Sequence, residues 1–383
     1  LMEGKTGINA DIKINGCGIQ GVLEKFVGNF IPEVKDITTD AAVDMKIGID
    51  GCYDHTSGRL PDIDARIMVP ESYSRHSAFD RDIRMAMELR AVTDINGNMN
   101  ISVDTLDVLT AGVGLSATGS VSDVLGKDPE LYVKGSMSAV FDSLKAFLPD
   151  TLDIESHGTL TAGIDGSIRM SEADIYNFSK SDLTGFIKGD SIRLHSPADT
   201  LELTVKGLDV TLGPENITSR RDPERSLRLM GIKGKASKAD IKYKDALTIR
   251  GKDLTVSAKN SSDQDTTKVT PLSGRFSAGQ LSVRDQESST IVVRNTSNSF
   301  MVFPKKGQPE VPVLSLTSRN ERIFLRSQSN RLGVSDARFR VSAAMNTPPK
   351  GSLPRLLGAG ISGYSTRLPV CTFKVTKGLT PRP

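Results

Sequence analysis

Apolar and polar residues alternate with period two along most of this chain. That pattern constrains the fold more than any motif does. Val43, Met45, Ile47 and Ile49 alternate with Asp44, Lys46, Gly48 and Asp50, and Ile83, Met85, Met87 and Leu89 alternate with Arg84, Ala86, Glu88 and Arg90. Successive side chains of a strand point to opposite faces, so each segment has one apolar face and one wet face. Ile8, Ala10, Ile12 and Ile14 form another such set, as do Met99, Ile101 and Val103 after an Asn96-Gly97 turn. Asn-Gly suits a hairpin because both positions tolerate positive φ. Short strands are expected around Leu106–Val108, Val113–Leu115 and Leu131–Val133. The chain is therefore mainly β and antiparallel. Its apolar face must be covered by a second sheet, by closure into a barrel, or by something apolar held in a groove.

A repeat is superimposed on the strands. Gly135 and the run Val140, Phe141, Leu144, Phe147, Leu148, closed by Pro149, precede Ile164-Asp165-Gly166. Gly16 and the run Ile19, Leu23, Phe26, Val27, Phe30, closed by Pro32, precede Ile49-Asp50-Gly51. The three-and-four spacing predicts two short amphipathic helices, over 19–31 and 137–148, each covering a sheet.

From residue 183 onward the pattern simplifies to hairpins. Leu183-Thr-Gly185, Leu229-Met-Gly231 and Leu272-Ser-Gly274 open successive units. The first holds Leu201, Leu203, Val205 and then Leu208, Val210, Leu212. The second holds Leu247, Ile249 and then Leu254, Val256, Ala258. The third holds Leu281, Val283, then Ile291, Val293, then Met301, Phe303. Each set of two or three positions reads as its own strand. The resulting division is 1–134 and 135–215 for two helix-plus-sheet repeats, 216–346 for a hairpin array, and 347–383 for an irregular basic tail. That tail holds Pro348, Pro349, Pro354, Pro369, Pro381 and Pro383, and it has the charge to touch anionic lipid.

Composition removes several functions. The net charge of +3 is too small to imply nucleic acid, and the chain has no Trp and only 6 Tyr. A membrane barrel places aromatic girdles at both interfaces, so that reading is disfavoured. The cysteines, Cys17, Cys52 and Cys371, are odd in number and form no CxxC, which argues against zinc; a Cys17–Cys52 bridge stays open. The histidines His55, His76, His157 and His195 have no acidic or cysteine neighbour at metal-ligand spacing. No GxSxG elbow, P-loop or dinucleotide fingerprint is present. The chain reads as a non-enzyme without a cofactor or metal.

The phrase Asp128-Pro129-x-Leu131-x-x-x-Gly135, the predicted helix ending at Pro149, and Gly158-Thr-Leu-Thr-Ala-Gly-Ile-Asp-Gly166 together resemble the AsmA-like family, which includes TamB-type proteins. The resemblance covers residues from about 5 to 345. It implies an elongated antiparallel sheet curled into a taco-like repeating β-groove. It further implies a periplasmic location, an anchor in the inner membrane lying outside this sequence, and transfer of phospholipid between inner and outer membranes in outer-membrane biogenesis. Envelope proteins are implied as further partners. The groove would be lined by Val43, Met45, Ile47, Ile49, Met85, Met87, Leu89, Ile101, Val103, Leu203, Val205, Ile249, Val256, Val283 and Val293.

The energetics fit. Burial is worth about 0.8 kcal/mol per CH2, so a chain of about 16 carbons needs on the order of 10 kcal/mol of apolar contact. A continuous apolar face without polar breaks supplies it, and methionines add adaptability. A scaffold for outer-membrane protein assembly, or an adhesin-like structural repeat, would use the same alternation.

Overall fold

The computed structural model describes residues 5–21, 36–76, 82–143, 154–197, 200–218, 226–244, 246–260, 271–285, 289–305, 308–326, 331–344, 372–375 and 380–381. The chain divides into two compact units. The first comprises residues 1–173 and 182–198; the second comprises 174–181 and 199–383.

The first unit contains β1 (Lys5–Gly18), β2 (Ile37–Thr39), β3 (Ala42–Asp54), β4 (Asp62–His76), β5 (Ile83–Thr93), β6 (Met99–Thr110), β7 (Val113–Ser122), β8 (Glu130–Val140), β9 (Glu155–His157), β10 (Thr159–Arg169) and β11 (Asp182–Ser196). Pairing is antiparallel and follows the chain from β1 through β3 to β8, then through β10 to β11. The short strands β2 and β9 pair with β4 and β11. The repeat seen in the sequence is thus a repeat of topology. A long strand, a short strand and a second long strand recur as β1–β2–β3 and β8–β9–β10. Gly51 and Gly166 both adopt positive φ at the end of the Ile-Asp-Gly phrase.

The predicted helices fare differently. Residues 19–21 are helical, and the rest of the first helix lies outside the described residues. The second helix does not begin at 137. Residues 137–140 complete β8, hydrogen-bonded to β7 and β10, and residues 141–143 make a 3-10 turn. Met137 and Ala139 alternate with Ser136 and Ser138, and ladder bonds on both sides override the helical spacing. Leu144, Phe147 and Leu148 lie outside the described residues. The expected boundary at 134/135 falls within β8.

The second unit contains β12 (Leu201–Thr218), β13 (Ser226–Tyr243), β14 (Leu247–Asn260), β15 (Leu272–Asp285), β16 (Thr290–Lys305), β17 (Gln308–Arg326) and β18 (Arg331–Ala344), each antiparallel to the next. The tail is not wholly irregular: β19 (Thr372–Val375) and β20 (Thr380–Pro381) both pair with β18. Residues 174–181 pack on β13 and β14, and Asn260 fixes them. Its side-chain Oδ1 accepts from Ser179 N (3.0 Å), its Nδ2 donates to Ile175 O (2.8 Å), and its backbone N donates to Ser179 Oγ (2.8 Å).

Strands that the alternation predicts in pairs are single long strands with an interruption between their halves. In the second unit the interruptions align. Ladder pairing lapses between Lys206–Lys238 and Asp209–Lys235, between Ala236–Leu254 and Lys238–Lys252, and between Lys252–Gln280 and Thr255–Ser277. The same lapse continues between Ala278–Thr296 and Gln280–Arg294, between Arg294–Arg322 and Thr296–Asn320, and between Asn320–Ala337 and Arg322–Ser335. The result is one crease crossing β12 to β18 at Gly207, Ser237, Asp253, Gly279, Asn295, Glu321 and Asp336.

Left-handed backbone marks the crease at Gly207 (φ 59), Asp253 (φ 52) and Asn295 (φ 47). Such a residue turns the chain over once, so the apolar set changes parity while staying on one face. Leu203 and Val205 give way to Leu208, Val210 and Leu212, and Leu254 and Val256 follow Leu247 and Ile249. Glycine suits the position on β12, and Asp or Asn is the next most tolerant choice. In the first unit, a bulge at Asp104–Thr105 does the same for β6, joining Met99, Ile101, Val103 to Leu106 and Val108.

Carboxylates hold the turns of the first unit. Asp94 accepts from the backbone N–H of Asn98 (2.9 Å) and Asn96 (2.8 Å) beside Gly97 (φ 83), closing the β5–β6 hairpin. Asp142 accepts from His157 Nδ1 (2.6 Å) and from Gly158 N (3.1 Å). Backbone donation by Asn98 pulls the Asp94 pKa below its ordinary 3.8, and the His157 bond does the same for Asp142. Backbone donors similarly lower Asp54 (Thr56) and Asp128 (Ser171).

Two predictions follow from these features. Replacing Asp253 by Val should destabilise the second unit by about 1–2 kcal/mol, because a β-branched residue is strained at positive φ, while Asp253→Gly should be neutral or stabilising. Urea denaturation of both variants checks this. For the turns, a lowered folded pKa means that stability is complete above pH 3.8 and falls as the pH drops through the folded value. The slope of stability against pH in that acid range should be shallower for the double variant Asp94→Asn, Asp142→Asn; an unchanged slope would count against these bonds.

Candidate functional site

The candidate lining residues were chosen by alternation within single strands. Register now shows how they meet across strands. In the first unit one rung runs through Ile14, Met45, Ile67, Leu89, Val103, Gly119, Val133, Gly166 and Leu183. A neighbouring rung runs through Ile12, Ile47, Ala65, Ala91, Ile101, Val121, Leu131 and Ile168. Met87 stands between Val69 and Leu106, and Met85 between Ser72 and Val108. Ile49 pairs with Ala10 and Ile63, and Val43 with Cys17. Directly opposed residues share a face, so all nine candidates of this unit lie on one apolar face.

In the second unit Leu203, Ile241, Ile249, Val283, Ile291 and Leu325 form one rung, and Val205, Ala239, Gly251, Leu281, Val293 and Ile323 the next. Val256 lies across the crease, between Gly234 and Phe276. Here two expectations need correction. Met301 and Phe303 do not belong to the apolar set: Phe300 and Val302 face Gly274 and Leu272, and Val302 is buried while Met301 is exposed. Nor is the face free of polar breaks. Thr296, Ser318 and Asn320 are buried beside Asn298, whose Nδ2 donates to Thr296 Oγ1 (3.0 Å) and Phe276 O (3.2 Å), while Asn320 Nδ2 donates to Ser318 Oγ (3.0 Å). Satisfying one another removes most of the cost of burying these groups.

The face is uncovered among the described residues. None of the fifteen candidates is fully buried; twelve are half-buried, and Ile101, Val256 and Val283 are exposed. Ile12, Leu131 and Ile164 on the same face are also exposed. Substantial contacts join ladder neighbours, the exception being the Phe178–Lys180 turn against β13 and β14. Among the described residues the buried apolar side chains are few, and half of them are alanines: Ala41, Ala139, Ala236 and Ala278.

A trough of about 490 Å³ lies in the first unit, but on the opposite face. The Met85, Val108, Leu115, Met137, Ala162 rung runs along its middle. Its walls are the side chains on either side: Arg84, Leu109, Ser138 and Thr161 along one, Asp107, Ser116, Ser136 and Phe186 along the other. Phe186 lies over Gly163, where an added Cβ would meet the ring at 2.6 Å, and Lys188 stands 5.6 Å above the ring centroid. Arg84 pairs with Glu71 at 3.7 Å. Of the fifteen candidates only Met85 borders this trough.

Other chemistry is sparse. Among the described residues no cluster of three or more His, Cys, Asp and Glu could hold a metal, and no helix is long and apolar enough to cross a membrane. Cys17 and Cys52 are free and exposed. They pair with Val43 and Gly7, so about 30 Å of β3 separates them, far beyond disulfide reach. Comparison with protein-family models, with curated proteins and with solved structures finds no match.

Sequence reasoning missed one feature of the surface. Residues 1–198 hold 18 Lys and Arg against 30 Asp and Glu, whereas residues 199–383 hold 31 against 16. The net charge of +3 is the sum of −12 and +15. Counting each half separately would have revealed it.

Proposed function

We propose that this chain binds phospholipid acyl chains on the apolar face of its sheets and serves lipid transfer between the inner and outer membranes of a bacterial envelope. The observation that carries the proposal is the uncovered apolar face, with its candidate residues in register across consecutive strands. Apolar surface of that extent facing water has a cost proportional to its area, and a hydrocarbon chain laid across the rungs removes it. Met45, Met85 and Met87 supply flexible side chains at the centre of the first unit's face, suited to a ligand without fixed geometry. The resemblance to AsmA-like proteins points the same way. In that reading the sheets curl with the apolar face inward and the chain works in the periplasm.

The scaffold reading has an observation in its favour as well. β1 is a 14-residue strand that pairs, among the described residues, with β3 alone, and an open edge can accept an added strand. A protein that assists outer-membrane protein assembly would use that edge rather than the apolar face.

Native mass spectrometry of the chain purified without detergent separates the two. Lipid binding predicts several phospholipids per chain. Met87→Asp and Ile249→Asp should lower occupancy at least fivefold, at about 1 kcal/mol or more per buried charge, while Arg84→Asp on the other face should leave it within about twofold. Equal losses for both classes, or a stable lipid-free wild type, would sink the proposal.

A further inference from the structure

The surplus of positive charge in the second unit is laid out as a row. On the face opposite the apolar rungs, beside the crease, ladder partners run Lys206, Lys238, Lys252, Gln280, Arg294, Arg322 and Ser335, one from each of β12 to β18. Five of the seven are cationic. Lys206 faces Lys238, Lys238 faces Lys252, and Arg294 faces Arg322. Like charges directly opposite on a ladder destabilise it. Lys238 is eased by Asp240 at 2.6 Å, and Arg294 lies 5.6 Å from the Phe324 ring centroid on the same face. Lys206, Lys252, Arg294 and Arg322 are exposed. At about 4.8 Å per strand the row spans about 30 Å. More cations flank it, among them Lys235, Arg250, Arg275 and Arg319.

We propose that this basic face of the second unit docks on the surface of an anionic phospholipid bilayer. The partner is named by charge and shape. Cations spread over several rungs of a sheet face match a broad negative plane, and each one near such a surface strengthens binding roughly fivefold. Single-stranded nucleic acid is a poorer fit, because its binders offer several stacking aromatics, and the aromatic beside this row, Phe324, is already occupied by Arg294. The row's self-repulsion is relieved when anionic headgroups sit against it. This inference rests on charge alone and is independent of acyl-chain binding by the other face.

The test is co-sedimentation of the full chain with vesicles of phosphatidylcholine containing about 30% phosphatidylglycerol, at about 50 and about 300 mM salt, since screening shortens as salt rises. Wild type should bind, should release at high salt, and should ignore pure phosphatidylcholine. The triple variant Lys206→Glu, Lys252→Glu, Arg322→Glu should lose about a hundredfold in affinity, at roughly fivefold per cation. Its urea midpoint should stay equal or rise, because each Glu now faces a cation; a misfolded protein would show the reverse. Lys46→Glu in the first unit should bind within about twofold of wild type. No binding by wild type, equal binding by the triple variant, or binding of single-stranded DNA in place of vesicles would overturn the proposal. Vesicle binding that persists in Met87→Asp and Ile249→Asp keeps this result distinct from the acyl-chain reading.

Discussion

The cross-strand backbone ladder is the constraint on which everything else here depends. Among the described residues few side chains are fully buried, and most large apolar ones remain half-exposed. Such a sheet gains less from a packed core than a two-layer domain does. Its order comes from antiparallel ladders of up to 19 residues per strand, and from half-burial of each side chain between cross-strand neighbours. A one-residue slip would carry a whole apolar set to the other face, so register is also what keeps the face continuous.

Long strands create a difficulty that the crease and the bulges resolve. Strict alternation over 18 residues would produce a uniformly twisted ribbon with no provision for bending. Interrupting every strand once at the same point across the sheet, with a left-handed residue at Gly207, Asp253 and Asn295, bends the ladder along a line and shifts parity together on every strand. Because the shift is shared, the apolar rungs continue on both sides of Gly207: Leu203 meets Ile241 on one side, and Val210 meets Gly234 on the other. An isolated slip on one strand would have broken the rungs.

Most of the strands were legible in the sequence because half-exposed antiparallel sheets give the clearest period-two signal. What alternation could not show was continuity. Leu203 and Leu208 belong to one strand, yet their parities differ, so Gly207 reads as a turn until the ladder is seen. The second helix failed for a related reason. Val140, Phe141 and Leu144 have helical spacing, but Met137 and Ala139 stand opposite Leu115 and Val113 on one side and Ala162 and Leu160 on the other, and the strand wins. Of the candidate site, the membership of the apolar face was legible. Its polar break at Thr296, Asn298, Ser318 and Asn320 was not, because those four residues look like ordinary outward positions until parity has shifted at Asn295 on one strand and at Glu321 on the next. The pairing of Lys206 with Lys238 and Lys252 was equally hidden, since it joins residues from three strands.

The two faces of the second unit pose opposite problems. Apolar side chains such as Val283 and Ile291 are exposed on one, and like charges stand opposed on the other. Neither is what a sheet selected only for its own stability would carry: a second layer would cover the first, and a Glu at Lys252 would neutralise the second. Both features persist in one ladder, whose register holds them at fixed positions a single residue apart.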